Sequence, residues 1–232
     1  MTSNRLLAAL IATVLQWLTL AAPSASGQAS QPEPCGFIRM FDAVSSGSGT
    51  LEFSIDAKPV RPQGYQLGNI TGAIALKPNT YSVLFRREGV RQGATQVSVT
   101  LNATTILIPF AELAPARDGQ PARWEIKILK LKQHPSDDTR TASFVSVSRL
   151  PELNLEIRQT DGKWQSLLVK RLGVSRTDIQ QSRGYLPVRC NNLPLSPISV
   201  GTSGNFVSIL FDDETNTLRS KTFQDYKYLS PD

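Results

Sequence analysis

Apolar residues recur at every second position along most of this chain, and nowhere with the three-to-four spacing of a helix of ordinary length. Leu51, Phe53 and Ile55 point one way while Glu52 and Ser54 point the other, the pattern of a strand with one buried face. Phe37-Ile38-Arg39-Met40-Phe41 precedes them, separated by a Gly/Ser loop at 45–49. Asp56-Ala57-Lys58-Pro59 and Lys77-Pro78-Asn79-Thr80 carry turn chemistry, and Tyr81, Val83 and Phe85 alternate after the second. Val97, Val99 and Leu101 follow, then Asn102-Ala103 as a tight turn, then Ile106, Ile108 and Phe110. Short alternating strands divided by turns predict a β-sandwich or barrel.

Residues 114–122 are rich in Pro, Ala and charge and are expected to form a loop. Trp124, Ile126 and Ile128 alternate, but Leu129 and Leu131 take the opposite parity, so a bulge is expected near Ile128. His134-Pro135-Ser136-Asp137-Asp138 has the polar, Pro-containing composition of a linker. A second set of strands starts at Ser143-Phe144-Val145-Ser146-Val147. Leu153, Leu155 and Ile157 alternate up to Thr160-Asp161-Gly162-Lys163, where Asp-Gly signals a hairpin. Residues 175–181 are the one place where a short helical turn is expected. The fold class predicted is therefore all-β: two immunoglobulin-like, antiparallel β-sandwich domains in tandem. Their expected bounds are 35–133 and 140–224, with 134–139 as linker and 225–232 as a tail.

Residues 1–27 have the composition of a secretory signal peptide. Arg5 supplies the positive charge, 6–20 the apolar run, and Ser24-Ala25-Ser26-Gly27 the small residues at a cleavage site. The run is interrupted by Thr13, Gln16 and Thr19, and is too short for a spanning helix of roughly 20 apolar residues. Cys35 lies within Pro32-Glu33-Pro34-Cys35, not in a lipobox, and 28–34 is expected to be a flexible N-terminus. No later run is long enough to span a bilayer, so the mature chain is expected to be soluble, exported and, in a bacterium, periplasmic, secreted or surface-bound. The formal net charge of +6 is spread along the chain. That spread favours a solvated basic surface, suits an acidic polymer, and does not point to nucleic acid. In an exported chain Cys35 and Cys190, the only cysteines, are expected to form a disulfide in preference to two separate thiols. Closing so long a loop contributes about 5 kcal/mol in the chain-entropy account.

The strand-turn Leu51-Glu52-Phe53-Ser54-Ile55-Asp56-Ala57-Lys58 resembles the opening of a duplicated family of secreted β-sandwich domains of unknown function. Ala75-Leu76-Lys77-Pro78-Asn79-Thr80-Tyr81 and Val97-Ser98-Val99-Thr100-Leu101-Asn102-Ala103 are similar to its second hairpin and its later turn. Asn79 and Ala103 stand where that family carries glycines. The layout of the chain, with Phe37-Ile38-Arg39-Met40-Phe41-Asp42-Ala43 opening one sandwich and Thr160-Asp161-Gly162-Lys163 inside a second, resembles the AlgF family of periplasmic alginate O-acetylation proteins. The resemblance implies a non-catalytic adaptor for O-acetylation of an exopolysaccharide, partnered by an acetyltransferase. It brings no catalytic residues and no cofactor. The alternative is a secreted carbohydrate-binding or cell-surface adhesion module.

The residues themselves suggest little chemistry. His134 is the one histidine, and an irregular linker is a poor support for a catalytic base. With Asp137 and Asp138 it lacks a full zinc ligand set. Asp212-Asp213-Glu214 suits a solvated hairpin tip better than a calcium site. No catalytic or metal residue is therefore expected. Tyr65, Trp164, Tyr185, Tyr226 and Tyr228 are candidate aromatic surfaces, most of them expected to pack. The residues expected to contact polysaccharide or a partner are Arg86, Arg87, Arg91, Lys127, Lys130, Trp164 and Tyr185. Asn69-Ile70-Thr71 and Asn102-Ala103-Thr104 fit the glycosylation sequon, which has no meaning in a bacterial source.

Overall fold

The computed structural model describes residues 34–116, 119–135, 140–180, 183–201, 204–225 and 227–231. The expected signal peptide at 1–27, most of the 28–34 segment, linker residues 136–139 and Tyr226 lie outside the described residues. No helix among the described residues is long and apolar enough to cross a membrane.

The chain is all-β. Its first part holds β1 (Gly36–Met40), β2 (Ser48–Ile55), β3 (Lys58–Pro59), β4 (Ile74–Leu76), β5 (Asn79–Glu88), β6 (Val90–Val99), β7 (Thr104–Ala114) and β8 (Arg123–Pro135). Its second holds β9 (Thr141–Ser146), β10 (Glu152–Arg158), β11 (Trp164–Lys170), β12 (Val174–Asp178), β13 (Gly184–Leu186) and β14 (Val188–Cys190). These are followed by β15 (Leu193–Pro194), β16 (Ile198–Val200), β17 (Asn205–Asp212), β18 (Leu218–Asp225) and β19 (Lys227–Pro231).

The first sheet runs β3-β2-β5-β6-β8-β7-β1-β4 and turns back on itself where β6 meets β8 at a single pair, Arg91↔Glu125. Phe53, Val83, Phe85 and Val97 from one side of that turn meet Ile38, Met40, Leu107 and Ile126 from the other, forming one core. Gly93 lets β6 approach so closely, because a Cβ there would lie 2.6 Å from the carbonyl oxygen of Ile126. The second part has the sheets β11-β10-β14-β15 and β12-β9-β17-β18 plus the pair β13-β16. Phe144, Leu153, Leu155, Ile157, Phe206 and Leu210 close a second core between them.

A third core joins the two parts. Phe41, Ile106, Ile108, Phe110 and Leu131 pack on Val145, Val147, Val207, Ile209 and Phe211. The Phe41 and Phe211 rings meet edge to face at 5.3 Å. Strands covered on both faces carry continuous apolar runs in place of alternation, as in Ile106-Leu107-Ile108 of β7 and Phe206-Val207 of β17. The same arrangement accounts for the parity change in β8. Ile126 and Ile128 face the first core while Leu129 and Leu131 face the third. β7 and β8 keep an unbroken register from Thr104↔Gln133 to Ala114↔Arg123, so the expected bulge at Ile128 is absent.

Both parts repeat one motif of mixed strand direction. β1 lies parallel to β7, which pairs antiparallel with β8. β9 lies parallel to β17, which pairs antiparallel with β18. Two segments differ from expectation. The expected helical turn at 175–181 gives way to β12, held along β9 from Val174↔Val145 to Asp178↔Thr141. His134 and Pro135 complete β8, where they pair with Tyr228 and Lys227 of β19, the segment expected to be a tail. The described residues form one compact unit.

Candidate functional site

The outer face of the β10–β11–β14 sheet carries the exposed Trp164, stacked under an arginine. The Asp161-Gly162 turn makes the hairpin: Gly162 has φ of 80°, Lys163 N–H donates to Asp161 Oδ1 at 3.0 Å, and Gln159 N–H donates to Lys163 O. That turn sets Trp164 opposite Arg158 and Glu156 opposite Ser166, while β14 sets Arg189 opposite Glu156. Arg189 donates through Nε and Nη2 to the two Glu156 oxygens at 2.8 and 3.0 Å, a forked geometry that fixes the guanidinium plane. That plane lies over the Trp164 ring at 4.0 Å, which leaves Trp164 36 % exposed.

Tyr185 on β13 is 70 % exposed. It shares an open cleft of about 580 Å³ with Arg158, Gln159, Thr160, Arg183 and Pro187. Arg158 therefore connects the two aromatics, as the pairing partner of Trp164 and a wall of the Tyr185 cleft. Flat apolar rings beside guanidinium and amide donors can stack on sugar C–H faces and bond sugar hydroxyls.

The five basic residues selected from the sequence do not form one face. Arg91 and Lys127 do converge, with Nη1 and Nζ lying 2.9 and 3.1 Å from the two Glu125 oxygens. Arg123, which sequence reading missed, joins them with Nε at 3.3 Å. The bond from Lys127, then those from Arg91 and Arg123, hold the Glu125 carboxyl down at about 2. The signal was present in the spacing, because residues 123, 125 and 127 share one face of a strand. Lys130 falls on the opposite parity and is half-buried opposite Leu107. Arg86 lies elsewhere, with Nε donating to Gln92 Oε1 at 3.1 Å.

Arg87 is not a surface contact: it is 6 % exposed. Alternation along β5 turns it inward with Val83 and Phe85. There it donates to the Val44 carbonyl, lies 3.9 Å from Asp42 Oδ2 and reaches Glu214 Oε1 at 3.3 Å.

The expected disulfide is not formed; both cysteines are free. Cys190 faces the second part's own core, and burial pushes its thiol up. Cys35 is half-buried just before β1, its carbonyl accepting from Asn102 N–H. The two thiols thus belong to separate packing environments. Two thiols are expected to titrate in denaturant without reductant, and dithiothreitol should leave the melting temperature unchanged. A midpoint that falls on reduction would contradict this arrangement.

The acidic tip is occupied by its own turn. Asp213 accepts from Thr215 Oγ1 at 2.6 Å, from Thr217 N–H at 2.9 Å and from Arg219 Nε at 2.7 Å. Asp212 accepts from Ser148 Oγ and Arg149 N–H. Among the described residues, no three His, Cys, Asp or Glu side chains gather as a metal site would require. Tyr65 packs in the first core.

No family model matches this chain, and no curated protein matches it. Solved structures give distant likenesses. One is to the Bacillus anthracis TIE protein, at 9 % identity and a TM-score of 0.24, over 75 % of this chain and 49 % of that one. The chain thus spans about half the length of that protein. Another is to a family CBM26 module of Eubacterium rectale Amy13K, solved in complex with maltoheptaose. It has 11 % identity and a TM-score of 0.23, over 83 % of this chain and 100 % of that one.

Proposed function

We propose that this chain is a non-catalytic accessory protein for O-acetylation of an alginate-like exopolysaccharide, acting in the periplasm beside an acetyltransferase. The observation that carries the reading is the Glu156–Arg189–Trp164 stack, a preorganised aromatic surface next to exposed Tyr185. Preorganisation lowers the ordering cost of a weak contact. The strand-and-turn resemblance to the alginate O-acetylation family supplies the pathway. The test is the acetyl content of the polymer with and without the gene. Acetyl is expected to fall while polymer yield holds; unchanged acetyl would end the reading.

The same exposed rings support a second reading, a carbohydrate-binding or adhesion module that needs no acetylation partner. The two separate on what the purified protein retains. An accessory co-purifies with the acetyltransferase and holds isolated polymer weakly, whereas a module retains polymer by itself. On either reading Trp164→Ala is expected to weaken the contact about tenfold, from the lost ring area and cation–π packing. Pull-down or affinity electrophoresis measures it, and an unchanged affinity would remove Trp164 from the surface.

A further inference from the structure

We infer that the cleft around Glu125 is a second binding site, one that takes the carboxylate of a uronic acid residue in an acidic polysaccharide. It lies in the first part of the chain, in residues other than those of the Trp164 stack, and it does not depend on the acetylation reading. The cleft is about 550 Å³, within the range of small-ligand sites. It opens at the corner of the first sheet, where β6 and β8 are joined only through Arg91↔Glu125.

Three cations, Arg91, Arg123 and Lys127, surround the single Glu125 carboxylate, an excess of two positive charges. The other acid in the wall, Glu112, is already paired with Arg171 at 2.8 Å. Glu125 takes Nη1 of Arg91 and Nε of Arg123. Each guanidinium has five N–H donors, so donors remain on both for a further acceptor. The cluster already orders itself around one carboxylate, and a uronate presents the same planar acceptor pair.

The remaining wall argues for a sugar over an inorganic anion. Leu113 is 52 % exposed and lines the cleft with Pro115 and Pro121. These are apolar surfaces that a compact hydrated anion would not use and that a pyranose C–H face covers. Glu125 itself opposes densely charged ligands such as polyphosphate, while a polymer with one charge per ring places a single carboxylate among the cations.

The test titrates the whole protein with a linear, unacetylated hexauronate, a neutral hexasaccharide of equal length, and hexaglutamate. The hexauronate is expected to bind, more weakly as salt rises, and the neutral sugar to bind at least tenfold less. Arg91→Ala/Arg123→Ala should lose at least tenfold in hexauronate affinity while remaining folded, with at most a small fall in melting temperature. Lys58→Ala, an exposed cation on β3, should lose nothing. Lys127→Ala provides a milder single variant should the double variant unfold. Equal binding of the neutral sugar, or a double variant that binds normally, would overturn the site. Hexaglutamate binding as tightly as hexauronate would reassign the cleft to an acidic peptide and overturn the sugar assignment. None of these results bears on the loss of polymer acetyl, so the two proposals fail separately.

Discussion

Arg87→Ala is expected to cost the fold about 3–5 kcal/mol at pH 8, where Asp42 is ionised, the usual effect of removing one partner from a buried ion pair. Three groups lose their partner together: the Val44 carbonyl, the Asp42 carboxylate and the Glu214 carboxylate. Asp42 is fully buried and cannot recover hydration. Glu214 is largely exposed and contributes little, because solvent screens it. For a protein of this size the loss lowers the melting temperature by roughly 10 °C. Arg86→Ala, one residue away on the exposed face of the same strand, should stay within about 0.5 kcal/mol. Urea denaturation of the two variants side by side makes the comparison. A loss below about 1 kcal/mol for Arg87→Ala would mean that water enters the site.

Asp42 should also shape the pH profile. Burial drives its carboxyl up from 3.8 to about 7, against the lowering effects of the Val44 N–H bond and of Arg87. The folded state therefore holds a proton that the unfolded state releases near pH 4. Its stabilising effect is complete below the unfolded value and is lost as pH rises through the folded one. The difference amounts to about 4 kcal/mol between pH 4 and pH 7. Glu125 and Asp213 act in the opposite sense. The first is held low by Lys127, Arg91 and Arg123, the second by Thr215, Thr217 and Arg219. Their contribution is present above the ordinary carboxylate range and is lost as pH falls through their lowered values. Stability is accordingly expected to peak near pH 4–5, where the three contributions overlap, and to decline from there to about pH 7. Asp42→Asn should flatten that decline. The Arg87→Ala loss should be smaller at pH 5, where Asp42 is protonated, than at pH 8. A wild-type profile rising from pH 5 to pH 8 would refute the assignment.

How much of this was legible depended on what each residue faces. Single-faced strands such as β2 and β10 announce themselves, because Leu51-Phe53-Ile55 and Leu153-Leu155-Ile157 alternate as their burial does. Leu129 and Leu131 misled because β8 serves two cores in succession, and a sequence does not show a second layer arriving on the outer face. Arg87 reads in the sequence as one of a basic run, although its parity with Val83 and Phe85 marks it as inward. The same parity rule would have recovered Arg123 and Glu125 beside Lys127. Only the compartment argues for a Cys35–Cys190 bond, whereas the packing that leaves both thiols free is long-range and no local pattern records it. Trp164 stands out in the sequence as an aromatic, but its partner Arg189 comes from a strand three connections later.

The pairing of β19 with β8 has a consequence for how the chain acquires its structure. Residues 131–135 are matched by 227–231, and the second part is strung between these two stretches. It behaves topologically as an insertion in the first sheet, leaving along β8 and returning beside it. The shared core adds a second tie, Ile106 and Phe110 against Val207 and Phe211. Neither part can complete its surface in isolation. Contacts so distant along the chain make for slow folding with late closure, and the two parts are expected to melt in a single cooperative step.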